Sequence, residues 1–576
     1  MRRPRPIAGG MDLRAPAPSP PALHFDGEIF GTADGAEACR RALQRGGPRA
    51  VAELDGFFVA ACPAPEGGAL HLVTDHIGSR PLYWAREAER VVFASSATEV
   101  LARLPVLPPA DERGVAHHVL MGFPLQESTL WRGVQRVTPA TVLTLDRSGA
   151  RAERTWTMRY VRDASTPRSL SAAVDLLKTT FLASFTRMNP EEGPFLLPLS
   201  GGMDSRLIAA ALAATGKRAN TVTIGGEGSL DLVLAAEVAR RLGFPHRSVV
   251  MQPADVPGWL VDGARATDGM SYALDTHILF LLRNVADDGS IALDGTSSID
   301  GFYSLVDVWI ERCFGPRIPP MRQARNVFTG PIFDLAGEIT QPELIAPARR
   351  EAWRAHLHEG IATLLASVPA EERKSYDRID WMEMCQRIPR YTLNGTVLLR
   401  TRHEVRHPFF AREFLEVVGR VPYAMRAKEK PALGRVCAAI APQLADLVYE
   451  RTGVRGDAGT LRILLAHARR SAAKALHRLV PAVPAPRKTV AIDYARWLAS
   501  DPALQAFVRS TLLDERALAR GFFAPDALRA WVEGILAGSR SELALLSRLL
   551  SLEIGLRSAE ECHSAGAAGR AAVGRG

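Results

Sequence analysis

The residues best suited to chemistry form the string Pro198-Leu199-Ser200-Gly201-Gly202-Met203-Asp204-Ser205-Arg206. The apolar run Phe195-Leu196-Leu197 precedes it and Leu207-Ile208-Ala209-Ala210-Ala211-Leu212 follows, so the local order is buried strand, tight turn, helix. Such a turn points backbone N–H groups and the positive end of a helix at one spot, where an anion can sit. Gly201 and Gly202 permit positive φ and a close approach of phosphate to the backbone. Ser200 and Ser205 add hydroxyl donors, and Asp204 is a hard oxygen ligand suited to Mg²⁺. The competing use of the same residues is plain capping of a helix by Ser or Asp.

The bulk of the chain says what must hold this turn in place. At 576 residues it has length for two or three domains, and 47% hydrophobic with 23% charged residues is ordinary for a globular protein. A net charge of +9 is modest at this length and fits an anionic substrate without requiring nucleic acid. The cysteines (Cys39, Cys62, Cys313, Cys385, Cys437, Cys562) show no metal-type spacing, which predicts reduced thiols, no zinc site and a cytoplasmic location. No apolar run has the length of a bilayer span, so no membrane partner is expected. Residues 1–22, basic and then rich in Pro16, Pro18, Pro20 and Pro21, read as a flexible arm, and the Gly/Ala-rich residues 564–576 as a flexible tail.

Residues 23–155 read as short strands separated by turns. Asp26-Gly27-Glu28-Ile29-Phe30 opens them, a helix follows near 36–44, and 54–61 and 71–75 look like paired strands. After the turn Gly78-Ser79-Arg80-Pro81 come Leu82-Tyr83-Trp84 and the strand Val91 to Ser96. Residues 170–555 alternate helices and strands: a helix over Leu170 to Asn189, the loop above, the strand Ala219 to Gly225, and a helix from Asp231 to Leu242 closed by Gly243. Ser290 to Leu293 then enters the loop Asp294-Gly295-Thr296-Ser297-Ser298-Ile299-Asp300-Gly301. That alternation predicts a doubly wound parallel sheet. A helix over Leu461 to Leu479 is amphipathic and basic, either a solvated face or a docking surface for an acidic peptide.

In this order the motifs resemble the asparagine synthetase family, whose members pair a glutaminase domain with an AMP-forming synthetase domain. Asp26-Gly27-Glu28-Ile29-Phe30 is similar to that family's Asn-Gly-Glu-Ile-Tyr, which holds glutamine. Asp75-His76-Ile77-Gly78-Ser79-Arg80-Pro81-Leu82-Tyr83 is similar to its Asp-x-x-Gly-x-x-Pro-Leu-Tyr turn, and Gly133 to Ala140 to its closing segment. The family's nucleophile is a cysteine exposed at the N-terminus, its own amine serving as base. Here the chain begins Met1-Arg2, Arg5 stands where the cysteine would, and the first cysteine is Cys39. The resemblance thus implies a degenerate glutaminase-like α+β domain of the N-terminal-nucleophile type without glutaminase activity.

For residues 170–555 it implies a PP-loop ATP pyrophosphatase domain of adenine nucleotide alpha hydrolase type, with helical additions. Ser200 to Ser205 would hold pyrophosphate, Leu199 and Ile224 would line the adenine, and Asp294 and Gly295 would border the nucleotide. The family's Leu-Ser-Gly-x-Gly-x-Asp-Glu loop supplies a second Mg²⁺ ligand. Direct counting puts Ile299 there, so a bulge brings Asp300 onto the metal, Asp294 substitutes, or the metal site is weakened; Asp300 is the choice made here. Glu404 and Arg406 match the family's Glu-x-Arg-x-Pro-Phe-Leu-Asp, as an ion pair or as part of the acceptor site. Lys488, in Pro486-Arg487-Lys488, is similar to the lysine that meets the phosphates as pyrophosphate leaves.

The implied reaction uses ATP and Mg²⁺ to activate a carboxylate as an acyl-adenylate for attack by an amine, with Asp204 and Lys488 as the catalytic pair. Without a glutaminase cysteine the amine is ammonia or belongs to the substrate. That leaves an ammonia-using amide ligase and, as the alternative, a cyclase of the lasso-peptide macrolactam type acting on a precursor peptide. A nucleotide-binding pseudoenzyme is the third reading.

Overall fold

The computed structural model describes residues 7–14, 23–296, 308, 311, 313, 319–328, 330–372, 374–427, 430–449, 453–479 and 492–573. The first domain is two antiparallel sheets. One has five strands in the order β2 (His24–Ile29), β3 (Gly56–Pro63), β4 (Ala69–Thr74), β8 (Thr141–Asp146) and β9 (Gly149–Arg154). The other runs β1 (Ala8–Asp12), β6 (Arg90–Ala94), β5 (Tyr83–Glu87), β7 (Val134–Arg136). The strands carry alternating apolar residues, and β3 is buried along its whole length because both its faces are covered. Val59 and Ala61 join Leu82, Trp84 and Phe93 between the sheets, while Phe58, Ala60 and Cys62 pack under helix α1 (Gly35–Ala52).

Part of the expected N-terminal arm is therefore structure: Ala8–Asp12 pairs antiparallel with Arg90–Ala94, and Ile7 is buried in the inter-sheet core. The turn after β4 is fixed by Asp75, whose carboxylate accepts from the amides of Phe58, Ile77 and Ser79. One buried carboxylate thus pins the strand end to the following Gly78 turn.

Helix α4 (Leu170–Met188) leads into the second domain, whose five strands are all parallel in the order β12 (His246–Val250), β11 (Ala219–Gly225), β10 (Phe195–Pro198), β13 (Ile291–Leu293), β14 (Glu404–Arg406). The central strand β10 is a continuous apolar run, as a strand covered on both faces must be. The chain winds outward from β10 through β11 to β12, then returns to add β13 on the other side, so the strand order reverses between β10 and β13. The crevice at that reversal, outside the strands' C-terminal ends, is where this architecture binds ligands. Doubly wound parallel topology is what the alternation predicted. Helix α5 (Met203–Ala214) follows β10, and α6 (Leu230–Leu242) follows β11, closed by Gly243 at φ 71°.

The rest is helical. The last helix, Leu543–Val573, packs on α2 (Ala97–Arg103) and on the helix Val256–Ala266. Residues 564–573, expected as a flexible tail, thus belong to a helix; the segment's alanines are strong helix formers and outweigh its glycines. The two domains are joined by buried polar contacts: Asp268 accepts from Ser96 Oγ (2.7 Å) and from the amides of Ala97 (2.9 Å) and Thr98 (3.0 Å), capping α2 from the second domain.

Candidate active site

The loop between β10 and α5 is held from both sides. Leu199 N–H donates to Val222 O at 2.9 Å and Thr223 Oγ1 to Leu199 O at 2.5 Å, tying the end of β10 to β11. Ser205 Oγ, one helical turn on, lies 3.1 Å from Ser200 N and 3.0 Å from Ser200 Oγ, closing the turn on itself. Gly201 is gripped twice: its N–H donates to Asp231 Oδ1 (2.7 Å) and its carbonyl accepts from Arg206 NH2 (3.0 Å). Arg206 is fully buried and also donates to the carbonyls of Leu447 and Val448, so the loop is anchored to a segment more than two hundred residues away. Helix α5 starts with no side-chain cap, which sets aside the plain capping use of these residues. As at any helix start, its first amides have no acceptor within the helix, while the Gly202 amide just before it donates to Ser200 Oγ at 3.1 Å.

Asp204 stands in the first turn of α5. Among the described residues its buried Oδ1 has no hydrogen-bond partner, while Oδ2 accepts from Lys430 Nζ at 2.5 Å. An orphaned buried carboxylate oxygen is costly unless something binds it. A hard cation such as Mg²⁺ would fit that oxygen. Lys430 is almost completely buried, sits in the left-handed region at φ 54° just before the helix Pro431–Ile440, and lies 6.0 Å from the Tyr449 ring. It brings a buried ammonium to the mouth of the loop.

At the end of β13, Asp294 is fixed by Arg406 O on its amide (2.9 Å) and by His407 Nδ1 on its carboxylate (3.0 Å). His407 receives Arg400 on its other nitrogen at 3.0 Å, and burial pushes its pKa down, so it acts as a neutral donor to Asp294. A Cβ on Gly295 would lie 3.4 Å from Ser205 backbone and side-chain atoms, so the two loops meet here. The structure thus brings together Leu199, Ser200, Gly201, Gly202, Asp204, Ser205 and Gly295, with Asp294 beside them and Ile224 half-buried near the end of β11. Asp300 and Lys488 lie outside the described residues. Among the described residues no group of three or more His, Cys, Asp or Glu side chains could hold a metal ion.

The residues expected to form a degenerate glutamine pocket look different. Gly27 has φ 136° and no room for a side chain, since a Cβ would meet Phe57 O at 2.2 Å. Its neighbours are engaged in a network of ion pairs that extends from the first domain to the second. Arg80 donates to both Asp26 oxygens at 2.9 Å and also pairs with Glu404. Arg406 is bidentate to Glu28 (2.7 and 2.9 Å) and again to Glu191 (2.7 and 2.9 Å). Burial alone would lower the pKa of both arginines, but the surrounding carboxylates outweigh it and hold them above the usual value. Glu404 and Arg406, which the sequence left as a mutual pair or as acceptor residues, instead each pair with first-domain groups. Cys39 is completely buried in the core beneath α1, out of reach of any substrate.

Sequence reasoning missed Lys430, Arg206 and Asp231. Arg206 read as an ordinary helix residue and Asp231 as a helix start, and Lys430 belongs to a short lysine-rich run whose position gives no hint of its partner.

Comparison with known proteins agrees with this division. Residues 177–452 match the asparagine synthase family model and residues 21–157 the glutamine amidotransferase domain model. Asparagine synthetase 3 of Bacillus subtilis is 23% identical over 264 residues, 42% of this chain and 42% of its own. A carboxyethyl-arginine β-lactam synthase of Streptomyces clavuligerus is 30% identical over 226 residues, 38% of this chain and 40% of its own. The chain thus spans about two fifths of the length of these curated relatives. A solved glutamine phosphoribosylpyrophosphate amidotransferase of B. subtilis covers 48% of this chain and 55% of its own at 11% identity and a TM-score of 0.16, too slight a likeness to carry an argument. The asparagine synthase match ends at residue 452, so Lys488 falls beyond it whereas Lys430 falls within. The chain thus carries a glutamine amidotransferase-type domain ahead of an asparagine synthase domain, the pairing that its resemblance to the asparagine synthetase family implies.

Proposed function

We propose that the protein is an ATP-dependent, AMP-forming carbon–nitrogen ligase that activates a carboxylate for attack by an amine it does not obtain from glutamine. One observation carries the reading: a buried Asp204 oxygen, unpaired among the described residues, and a buried Lys430 ammonium stand at the uncapped start of α5, at the point where the strand order reverses. A site built this way is complementary to a polyphosphate and its cation.

In the proposed reaction a carboxylate oxygen of the substrate attacks the α-phosphorus of ATP. The bond to the β-phosphate oxygen breaks, and pyrophosphate leaves with that electron pair. The first amides of α5 and the Ser200 and Ser205 hydroxyls hold the departing phosphates, and Lys430 stabilises the charge that develops on them. Lys488 is kept as a second cation for the same step. Asp204, with Asp300, would hold Mg²⁺, which when bound neutralises phosphate charge and aligns the displacement. Leu199 and Ile224 offer apolar surface for adenine. The amine then attacks the acyl-adenylate, the new C–N bond forms, and AMP leaves.

The paired pocket carboxylates Asp26 and Glu28 and the buried Cys39 favour ammonia or a substrate amino group as the nucleophile. The similarity to a protein named as a β-lactam synthase favours a second reading, joining an amine and a carboxylate of one substrate, as a macrolactam cyclase does with a precursor peptide. Mass spectrometry of the product after incubation with ¹⁵N-ammonia separates the two. Incorporated ¹⁵N marks intermolecular amidation, and loss of water without ¹⁵N marks cyclisation. Nucleotide binding with no pyrophosphate release from any carboxylate tested leaves only the pseudoenzyme.

A further inference from the structure

The helix Thr460–Leu479 has no role in the site described above, yet its surface is unusual. Leu461, Leu465 and Leu476 are 69%, 61% and 48% exposed, while Ile463 on the opposite side is 4% exposed and anchors the helix to the body. With Ala468 and Ala472, also exposed, the three leucines fall on one stripe spaced by three and four residues. Alanines within such a stripe let a second helix approach closely. Arg462 and Arg469, both exposed, border it. The helix carries Arg462, Arg469, Arg470, Lys474 and Arg478 and no acidic residue, and so supplies five of the chain's net +9 charges.

We propose that this stripe docks an acidic amphipathic helical peptide, its apolar residues on the leucines and its carboxylates on the arginines at the edge. Charge complementarity names the occupant. A membrane surface fits less well, because the stripe offers three leucines and no aromatic residue to insert. Position adds a second reason. Gly456, four residues before the helix starts, packs on Met203 directly after the loop glycines, where an added Cβ would lie 3.1 Å from Met203 Cε. The helix therefore starts close to α5, the element that follows the loop. The inference stands without the ligase reading, since neither nucleotide nor carboxylate substrate enters its test.

The test uses the full-length protein and a fluorescein-labelled synthetic peptide of about three heptads, leucine at the a and d positions and glutamate elsewhere. Fluorescence anisotropy is expected to show saturable binding, weakened about tenfold or more by Leu465→Glu. Arg469→Glu is expected to weaken it and to flatten its salt dependence. Both positions are exposed, and circular dichroism melting checks that each variant folds. A scrambled peptide of the same composition binding equally well, or Leu465→Glu binding like the parent, overturns the proposal. So does association with phosphatidylglycerol vesicles in place of the peptide. A dimer in sedimentation that Leu465→Glu dissolves also overturns it, because the stripe would then be covered by a second copy.

Discussion

The glutamine pocket of the first domain and the loop after β10 are built from similar parts: a strand end, a glycine with no room or no tolerance for a side chain, and flanking carboxylates. They differ in what those carboxylates do. Asp26 and Glu28 are bidentate partners of Arg80 and Arg406, and through those arginines are linked to Glu404 and Glu191. Among the described residues Asp204 keeps one buried oxygen unpaired, and α5 begins with no side-chain cap. A pocket whose polar groups have found protein partners has become an interface, whereas a buried carboxylate oxygen left unpaired beside a helix start is compatible with a ligand. By this contrast the carboxylates of the first domain brace β14, and the proposed chemistry belongs to the second.

The contrast can be broken or sharpened at particular residues. Arg80→Ala should be the most damaging change on the structural side. It strands Asp26 and Glu404, whose side chains are only 10% and 18% exposed, and should cost about 3–5 kcal/mol of stability in denaturant unfolding. Unchanged stability would mean that the pocket is not an interface. On the chemical side, Lys430→Ala should slow pyrophosphate release by about 100- to 1000-fold with folding preserved, the range seen when one preorganised charge donor is removed. A change confined to ATP affinity would place Lys430 in binding alone. Asp231→Ala frees the Gly201 amide and should raise KM for ATP by about tenfold with a smaller change in kcat, since hydrogen bonds to charged groups contribute about 1.5–3 kcal/mol.

The smallest expected effect concerns pH. His76, buried between the domains with Nε2 2.7 Å from Phe410 O, has its pKa pushed down by burial. A histidine whose folded pKa lies below its unfolded value of about 6.5 contributes stability above that value and loses it as pH falls. The unfolding midpoint should therefore drop between pH 7 and pH 5, and His76→Phe should flatten that slope. An equal slope in the variant would assign the acid sensitivity elsewhere.

What the sequence made legible was local. The order Phe195-Leu196-Leu197, then Ser200 to Ser205, then the Ala- and Leu-rich helix states its own strand, turn and cap, because each depends on residues a few positions apart. The alternation up to Gly243 gave the parallel sheet for the same reason. The pairs that decide function are remote: Lys430 with Asp204 and Arg406 with Glu28 are 226 and 378 residues apart, and no periodicity announces them. The C-terminal segment reads as a tail because glycine and alanine together suit both a loose tail and a helix; in the structure residues 564–573 continue the helix Leu543–Val573.

The most direct test of the division between the two domains follows the products of ATP with Mg²⁺. Panels of carboxylates, aspartate and carboxyethyl-arginine among them, would be supplied with either ammonia or glutamine. AMP and pyrophosphate are expected with at least one carboxylate, and no glutamate from glutamine in any mixture. Glutamate release, or ADP and phosphate as the nucleotide products, would contradict it.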